Sequence, residues 1–309
     1  MSPRVARWSV LAFALALLPA PARSQDRLRV VATIPDLADI ARQVGGDRVE
    51  VESIAVGVQD PHYVDPKPSY VVKLNRADAF IQVGLDLEIG WAPPLLNQSR
   101  NSRIQRGGEG HIDASETVEI LERPTRPVSR AEGDIHIYGN PHYWLDPVNG
   151  KRIAAQIAAT FAKLRPEWAV EFEAGRVKFA ERIDSALEGW HSRLRPYEGR
   201  AVVAYHNSWP YFTRRFGIQV AGFIEPKPGI PPSPRDLVRV IELIRSERIR
   251  AIVHTVYYDD KPSRFVAEKT GARLITLATS VGGAAEVEDY FDLFDYNVGL
   301  LVAALSETE

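Results

Sequence analysis

Apolar positions in the first third of the chain fall into short, compact runs, each followed by a stretch with helical spacing. Leu28–Thr33 (LRVVAT) is such a run. It ends at Pro35 and predicts a buried strand followed by a helix through Val44, closed by Gly45-Gly46. Val49–Val56 and Ala79–Gly84 (AFIQVG) predict two further strands, with a helix over Pro68–Arg76 between them. Strands that alternate with helices predict a parallel α/β sheet. From Asn97 to Gly139 the chain is richer in Gly and charge, and the signals are weak.

At Asp146 the pattern changes. Asp146-Pro147 combines an N-cap with a proline at the first helical position, and predicts a helix to about Leu164. A second helical stretch runs from near Pro166 to about Leu194 without an internal proline. At 1.5 Å per residue it would be roughly 40 Å long. That length suits a spine joining two lobes better than a part of one core. Beyond Gly199 the alternation returns: Ala201–Tyr205, Ile218–Ile224, Arg250–Val256 and Arg273–Leu277 predict strands. Helices are predicted near Trp209–Phe216, Asp236–Glu247, Pro262–Thr270 and Glu288–Ala304. A loop with five prolines, Glu225 to Pro234, precedes the second of these helices. The predicted fold is α/β: two Rossmann-like lobes with parallel sheets, joined by a long backbone helix, with a cleft between them. The expected segments are 1–22 (a signal peptide), 27–147 (N-terminal lobe), 148–198 (helical connection) and 199–309 (C-terminal lobe).

The N-terminus changes this picture. Arg4 and Arg7 form a positive segment, Ser9–Leu18 an apolar one, and Ala20-Pro21-Ala22 offers small residues at the spacing of a cleavage site. The apolar run is shorter than the roughly 20 residues that span a bilayer. A cut after Ala22 would leave 287 residues, and Ser24 offers a second cleavage point. The chain has no cysteine, which excludes disulfides, thiol catalysis, Cys-ligated zinc and lipidation of an N-terminal Cys. The expected product is periplasmic, soluble and not a lipoprotein. Any metal must be held by histidines and carboxylates. A net charge of −2 gives no reason to expect a nucleic-acid partner.

Seven histidines are present, and position separates them. Two sit in an internal echo: Asp60-Pro61-His62-Tyr63-Val64-Asp65-Pro66 and Asn140-Pro141-His142-Tyr143-Trp144-Leu145-Asp146-Pro147. Each Pro-His-Tyr is followed by Asp-Pro, which places each imidazole in a stiffened loop. His206 follows the predicted strand AVVAY, at the carboxyl end where open α/β sheets bind ligands. Three imidazoles without thiols suit Zn²⁺. Mg²⁺ and Ca²⁺ want mostly oxygen, and Mn²⁺ sites usually exchange a histidine for a carboxylate. His191 is expected to be solvated on the long helix, His111 exposed in a Gly-rich loop, and His254 packed in a core. His136, six residues before His142, could reach the same site.

These stretches resemble the zinc/manganese solute-binding receptors of ABC importers, the ZnuA/TroA-like family. The matching segments are DPHYVDPKPSYVVKLNRAD, GNPHYWLDP, YHNSWPYFTRRFG and DYFDLFDYNV, and the similarity runs from Leu28 to the C-terminus. The resemblance implies two α/β lobes on a backbone helix, with one metal between them held by His62, His142 and His206. Members of that family usually add a carboxylate near Leu277–Ser280, and this chain has none there. The fourth ligand is then expected to be water or Glu225, with His136 as a further candidate. The long His-rich loop of the family's zinc importers is also absent, since only His111 and His136 precede the second motif.

The expected function is high-affinity capture of Zn²⁺, with Mn²⁺ as the alternative cargo, by a monomer that delivers it to an inner-membrane ABC permease. A rival of another class is a hydrolase, because three histidines plus water also describe catalytic zinc. No H-E-x-x-H, G-x-S-x-G or Gly-rich phosphate loop accompanies the histidines. An adhesin of the same fold is a third reading. The chain is therefore expected not to be an enzyme.

Overall fold

Two four-stranded parallel sheets carry the chain, one at each end of a long helix. The computed structural model describes residues 27–126 and 136–306, and the expected leader peptide lies outside them. The first sheet contains β1 (Leu28–Ala32), β2 (Val49–Ser53), β3 (Ala79–Gln82) and β4 (His111–Asp113) in the order β2-β1-β3-β4. The second contains β5 (Ala201–Ala204), β6 (Gln219–Phe223), β7 (Ala251–Thr255) and β8 (Arg273–Leu277) in the order β6-β5-β7-β8. The two lobes thus share one topology. In each, the chain leaves the first strand for a neighbour on one side and then crosses to the other side. That reversal opens a crevice beyond the carboxyl end of the first strand.

Helices α1 (Pro35–Gly45), α2 (Pro68–Arg76) and α3 (Ala92–Ser99) flank the first sheet. Helices α6 (Pro210–Phe216), α7 (Pro234–Glu247), α8 (Lys261–Thr270) and α9 (Tyr290–Leu305) flank the second. Between the lobes lie α4 (Pro147–Leu164) and α5 (Ala169–Leu194). Asp146 caps α4 by accepting from Val148 N, as its position before Pro147 predicts. Helix α4 packs against α1, and Gln156 donates to Asp113 O at 3.0 Å, which joins it to the first sheet.

The spine helix α5 buries Phe172, Phe179, Ile183, Trp190 and Leu194, which recur at steps of seven and four and share one face. Burying each is worth about 1.5–3 kcal/mol. Near its start Gly175 lies against Val44, where an added Cβ would come 2.2 Å from the carbonyl oxygen. Farther on, Phe179 packs edge-on against Phe291 and Trp190 packs at a tilt against Phe294, both on α9 of the C-terminal lobe. One helix is therefore glued to both lobes, and the main apolar core runs through it without a break.

The lobes also touch at the cleft floor. Asp36 on α1 accepts hydrogen bonds from Ser280 Oγ and from Val281 N at 3.2 Å. Trp144 Nε1 donates to Thr279 O at 2.8 Å. At Gly57 an added Cβ would meet Val281 O at 2.2 Å, so only glycine allows the two backbones to approach there.

Two short elements escape the sequence reading. Helix α3 has only eight residues and carries Pro93 and Pro94 in its first turn. Strand β4 has only three, too few to show alternation, and pairs as an edge strand with β3. His111 accordingly lies half-buried on β4 rather than exposed in a Gly-rich loop.

Candidate metal centre

His62 sits in the loop between β2 and α2, and His142 immediately precedes the 3-10 turn Tyr143–Leu145 that leads into α4. The two loops of the sequence echo adopt the same local contact. In the first, Asp60 Oδ1 accepts from His62 N at 3.0 Å and pairs with Nδ1 at 2.6 Å. In the second, Asn140 Oδ1 accepts from His142 N at 3.0 Å and pairs with Nδ1 at 3.0 Å. An Asp or Asn side chain folded back onto the residue two positions on is a local turn. The intervening Pro61 and Pro141 fix φ, so each loop is stiff.

His206 is reached differently. It lies two residues past the end of β5, and β5 pairs with β6 at Ala204↔Phe223. Continuing that register sets His206 beside Glu225, and Glu225 N donates to Tyr205 O at 3.0 Å. The side chains follow: Glu225 Oε2 pairs with His206 Nδ1 at 2.5 Å. The other carboxylate oxygen accepts from Gly229 N at 2.7 Å. Glu225 is therefore engaged through both oxygens, behind His206 rather than beside its Nε2.

In all three rings Nδ1 is occupied by a partner, which leaves Nε2 to point inward. Ligand atoms of His62, His142 and His206 all lie within 4.8 Å of one another. The ring centroids are 5.5 Å (62–142), 5.9 Å (62–206) and 5.8 Å (142–206) apart. His142 and His206 are buried, and His142 Nε2 has no hydrogen-bond partner among the described residues. A fully buried nitrogen without a partner carries a desolvation cost that a metal ion would remove. The donor set fits a divalent transition metal. Three imidazoles converge, while Asp60 and Glu225 hold two of them from behind and raise their basicity.

Charge is arranged to match. Burial, reinforced by His62, His206 and His136, holds the His142 imidazole well below its ordinary value and keeps it neutral as a ligand must be. Burial pushes the Asp60 carboxyl up, but the hydrogen bond and charge of His62 outweigh it and leave it below the usual range.

The remaining histidines divide clearly. His136 joins the cluster: its ring stacks on His62 at 5.1 Å and stands 5.8 Å from His142. Burial, then His62 and His206, lower its pKa to about 2. His254 packs in the second lobe, with Nδ1 3.0 Å from Ser263 Oγ. His191, expected to be solvated, instead lies half-buried on the spine with its ring 5.1 Å from that of Phe216.

Two topologically equal lobes with convergent donors in the crevice define a binding protein of the two-lobed receptor class. The profile of the family described as zinc-uptake complex component A, periplasmic, matches residues 30–304, and the chain belongs to that family. It is a family of substrate-binding receptors of metal ABC transporters, not of enzymes. The manganese ABC transporter substrate-binding lipoprotein PsaA of Streptococcus anginosus is 24% identical over 295 residues, covering 93% of this chain and 92% of its own. A crystal structure of ZnuA superposes with a TM-score of 0.76 at 24% identity, covering 91% of this chain and 100% of the other. A ZnuA deletion mutant (138–173) with zinc bound gives a TM-score of 0.76 at 23% identity, with 92% and 100% coverage.

Proposed function

We propose that this chain is a periplasmic zinc receptor that holds one Zn²⁺ on the Nε2 atoms of His62, His142 and His206 and presents it to an inner-membrane ABC permease. The observation that carries the reading is that one ring nitrogen of each of the three histidines lies within 4.8 Å of the others, each ring anchored through Nδ1. Imidazole donors with both nearby carboxylates turned away favour zinc over manganese, whose sites prefer more oxygen. The relatives differ on this point: PsaA is named for manganese, and one ZnuA structure is described with zinc bound. The relative named above is a lipoprotein, whereas this sequence has no cysteine to carry such a lipid. We read the mature protein as a freely diffusing monomer.

Binding would involve no bond chemistry. The spine is packed on both lobes and Asp36 bridges them, so metal capture needs only small movements of side chains and loops. The test is metal content after chelator stripping, followed by refilling with Zn²⁺ and Mn²⁺ in competition. One zinc per chain, retained against excess manganese, is the expected result. A chain that takes up one manganese in preference to zinc would make it a manganese receptor of the same family, and no stoichiometric metal would overturn the assignment.

A further inference from the structure

Beyond the triad, one imidazole in the cleft has no assigned role. His136 opens a turn in which Gly139 N donates to His136 O at 3.1 Å, with Gly139 at φ +105°. The base of the turn is clamped from two sides. Asn140 N donates to Leu121 O at 2.9 Å, and the Tyr211 hydroxyl on α6 donates to Asn140 O at 2.8 Å while accepting from Leu121 N at 2.9 Å. This turn sets His136 Nε2 3.2 Å from His62 Nε2. Two nitrogens bound to one tetrahedral zinc at 2.0–2.1 Å would lie about 3.3 Å apart.

We propose that His136 supplies the fourth ligand, so that the ion sits among four imidazoles. The proposal rests on the zinc-receptor reading above and deepens it. Other candidates for the fourth position are committed elsewhere. Both oxygens of Glu225 are taken by His206 and Gly229. Asp60 is taken by His62. In the loop where the family usually carries a carboxylate, Thr279 O accepts from Trp144, and Ser280 Oγ donates to Asp36 across the lobes. Five ring pairs among the four histidines span 5.1–5.9 Å, and His136 lies at the edge of the tighter triad. With its ring 5.1 Å from His62 and 5.8 Å from His142, His136 would have to move Nε2 toward the triad when the metal binds. Replacing an oxygen donor by a fourth nitrogen discriminates against manganese, which makes His136 a selectivity residue as well as a ligand.

The experiment uses the mature chain loaded with Co²⁺ and, separately, Zn²⁺, comparing the parent with His136→Ala and His142→Ala. X-ray absorption counts the imidazoles around the metal, and chelator competition gives the affinity. Expected are four imidazoles in the parent and three in His136→Ala. One metal per chain should be retained in that variant, with affinity about ten- to a hundredfold weaker and a smaller zinc-to-manganese preference. An unchanged thermal unfolding curve in His136→Ala separates lost ligation from lost fold. Three imidazoles in the parent, or a His136→Ala variant with the parent's imidazole count and affinity, would overturn the proposal while leaving the triad intact. If His142→Ala also bound as tightly as the parent, the triad itself would fall, and this inference with it.

Discussion

The two lobes bring their histidines to one point by different means. In the N-terminal lobe, His62 and His142 are each oriented by the side chain two residues before them, within a loop stiffened by proline. In the C-terminal lobe, His206 is oriented by Glu225, nineteen residues away and just past the end of the neighbouring strand β6. The first arrangement is local and survives as long as its loop does. The second exists only when β5 and β6 pair in the correct register. Local preorganisation limits what the loop loses on binding, whereas a carboxylate placed by strand register holds its histidine from a rigid frame. Within the N-terminal lobe the two loops also differ, since Asp60 is charged and Asn140 is not.

Removing an imidazole is expected to have the largest effect. His206→Ala and His142→Ala should each weaken zinc binding more than about a hundredfold, measured by chelator competition. Parent-like affinity in either would break the idea that the lobes share the metal. Next come the orienting groups. Glu225→Gln removes the charge behind His206 and should cost affinity toward about a hundredfold, while Asp60→Asn, which merely gives the first loop the chemistry of the second, should cost nearer about tenfold. Equal losses would mean that strand-borne and loop-borne partners are equivalent. Pro61→Ala or Pro141→Ala should weaken binding about two- to fivefold by loosening the loops, with the fold unaffected. A Pro variant that binds as tightly as the parent would show that the Asx contacts suffice alone.

The last prediction concerns the joint between the lobes. Burial pushes the Asp36 carboxyl up to about 7, against the smaller opposing effect of its bonds to Ser280 and Val281. The folded protein thus favours the protonated form. The contribution of Asp36 to stability is complete below the ordinary carboxylate range and is lost as pH rises through about 7. Asp36→Asn should flatten that fall in melting temperature between pH about 4 and about 7. Glu88, also raised to about 7 by burial, leaves a residual slope. A variant with the parent's full pH dependence would show that Asp36 does not titrate with folding.

Much of this was readable before any coordinates. Pro68–Arg76 and Arg273–Leu277 coincide with α2 and β8, because each is bounded by strong local signals. Asp146-Pro147 marked the start of α4 through capping chemistry that acts within a few residues. The His62 and His142 loops stood out as a repeat, since their orienting residues are sequence neighbours. Glu225 was noticed as a carboxylate near a strand end, but its role was not legible. Pairing with His206 depends on the β5–β6 register, including the irregularity between Val202 and Val203. His136 stood out as a candidate by its nearness to His142, but where its ring lies is decided by a turn clamped by Tyr211 from the other lobe.

By itself the sequence determined the alternation of strands and helices, the spine, the absence of thiols and the two stiff histidine loops. These follow from patterns and contacts that span a few residues. The tertiary structure alone decided which groups face the metal site and which stand behind it. It also decided that Asp36 and Ser280, 244 residues apart, join the lobes. Such choices depend on strand register and on the close approach of two backbones at Gly57, and no local preference encodes either of them.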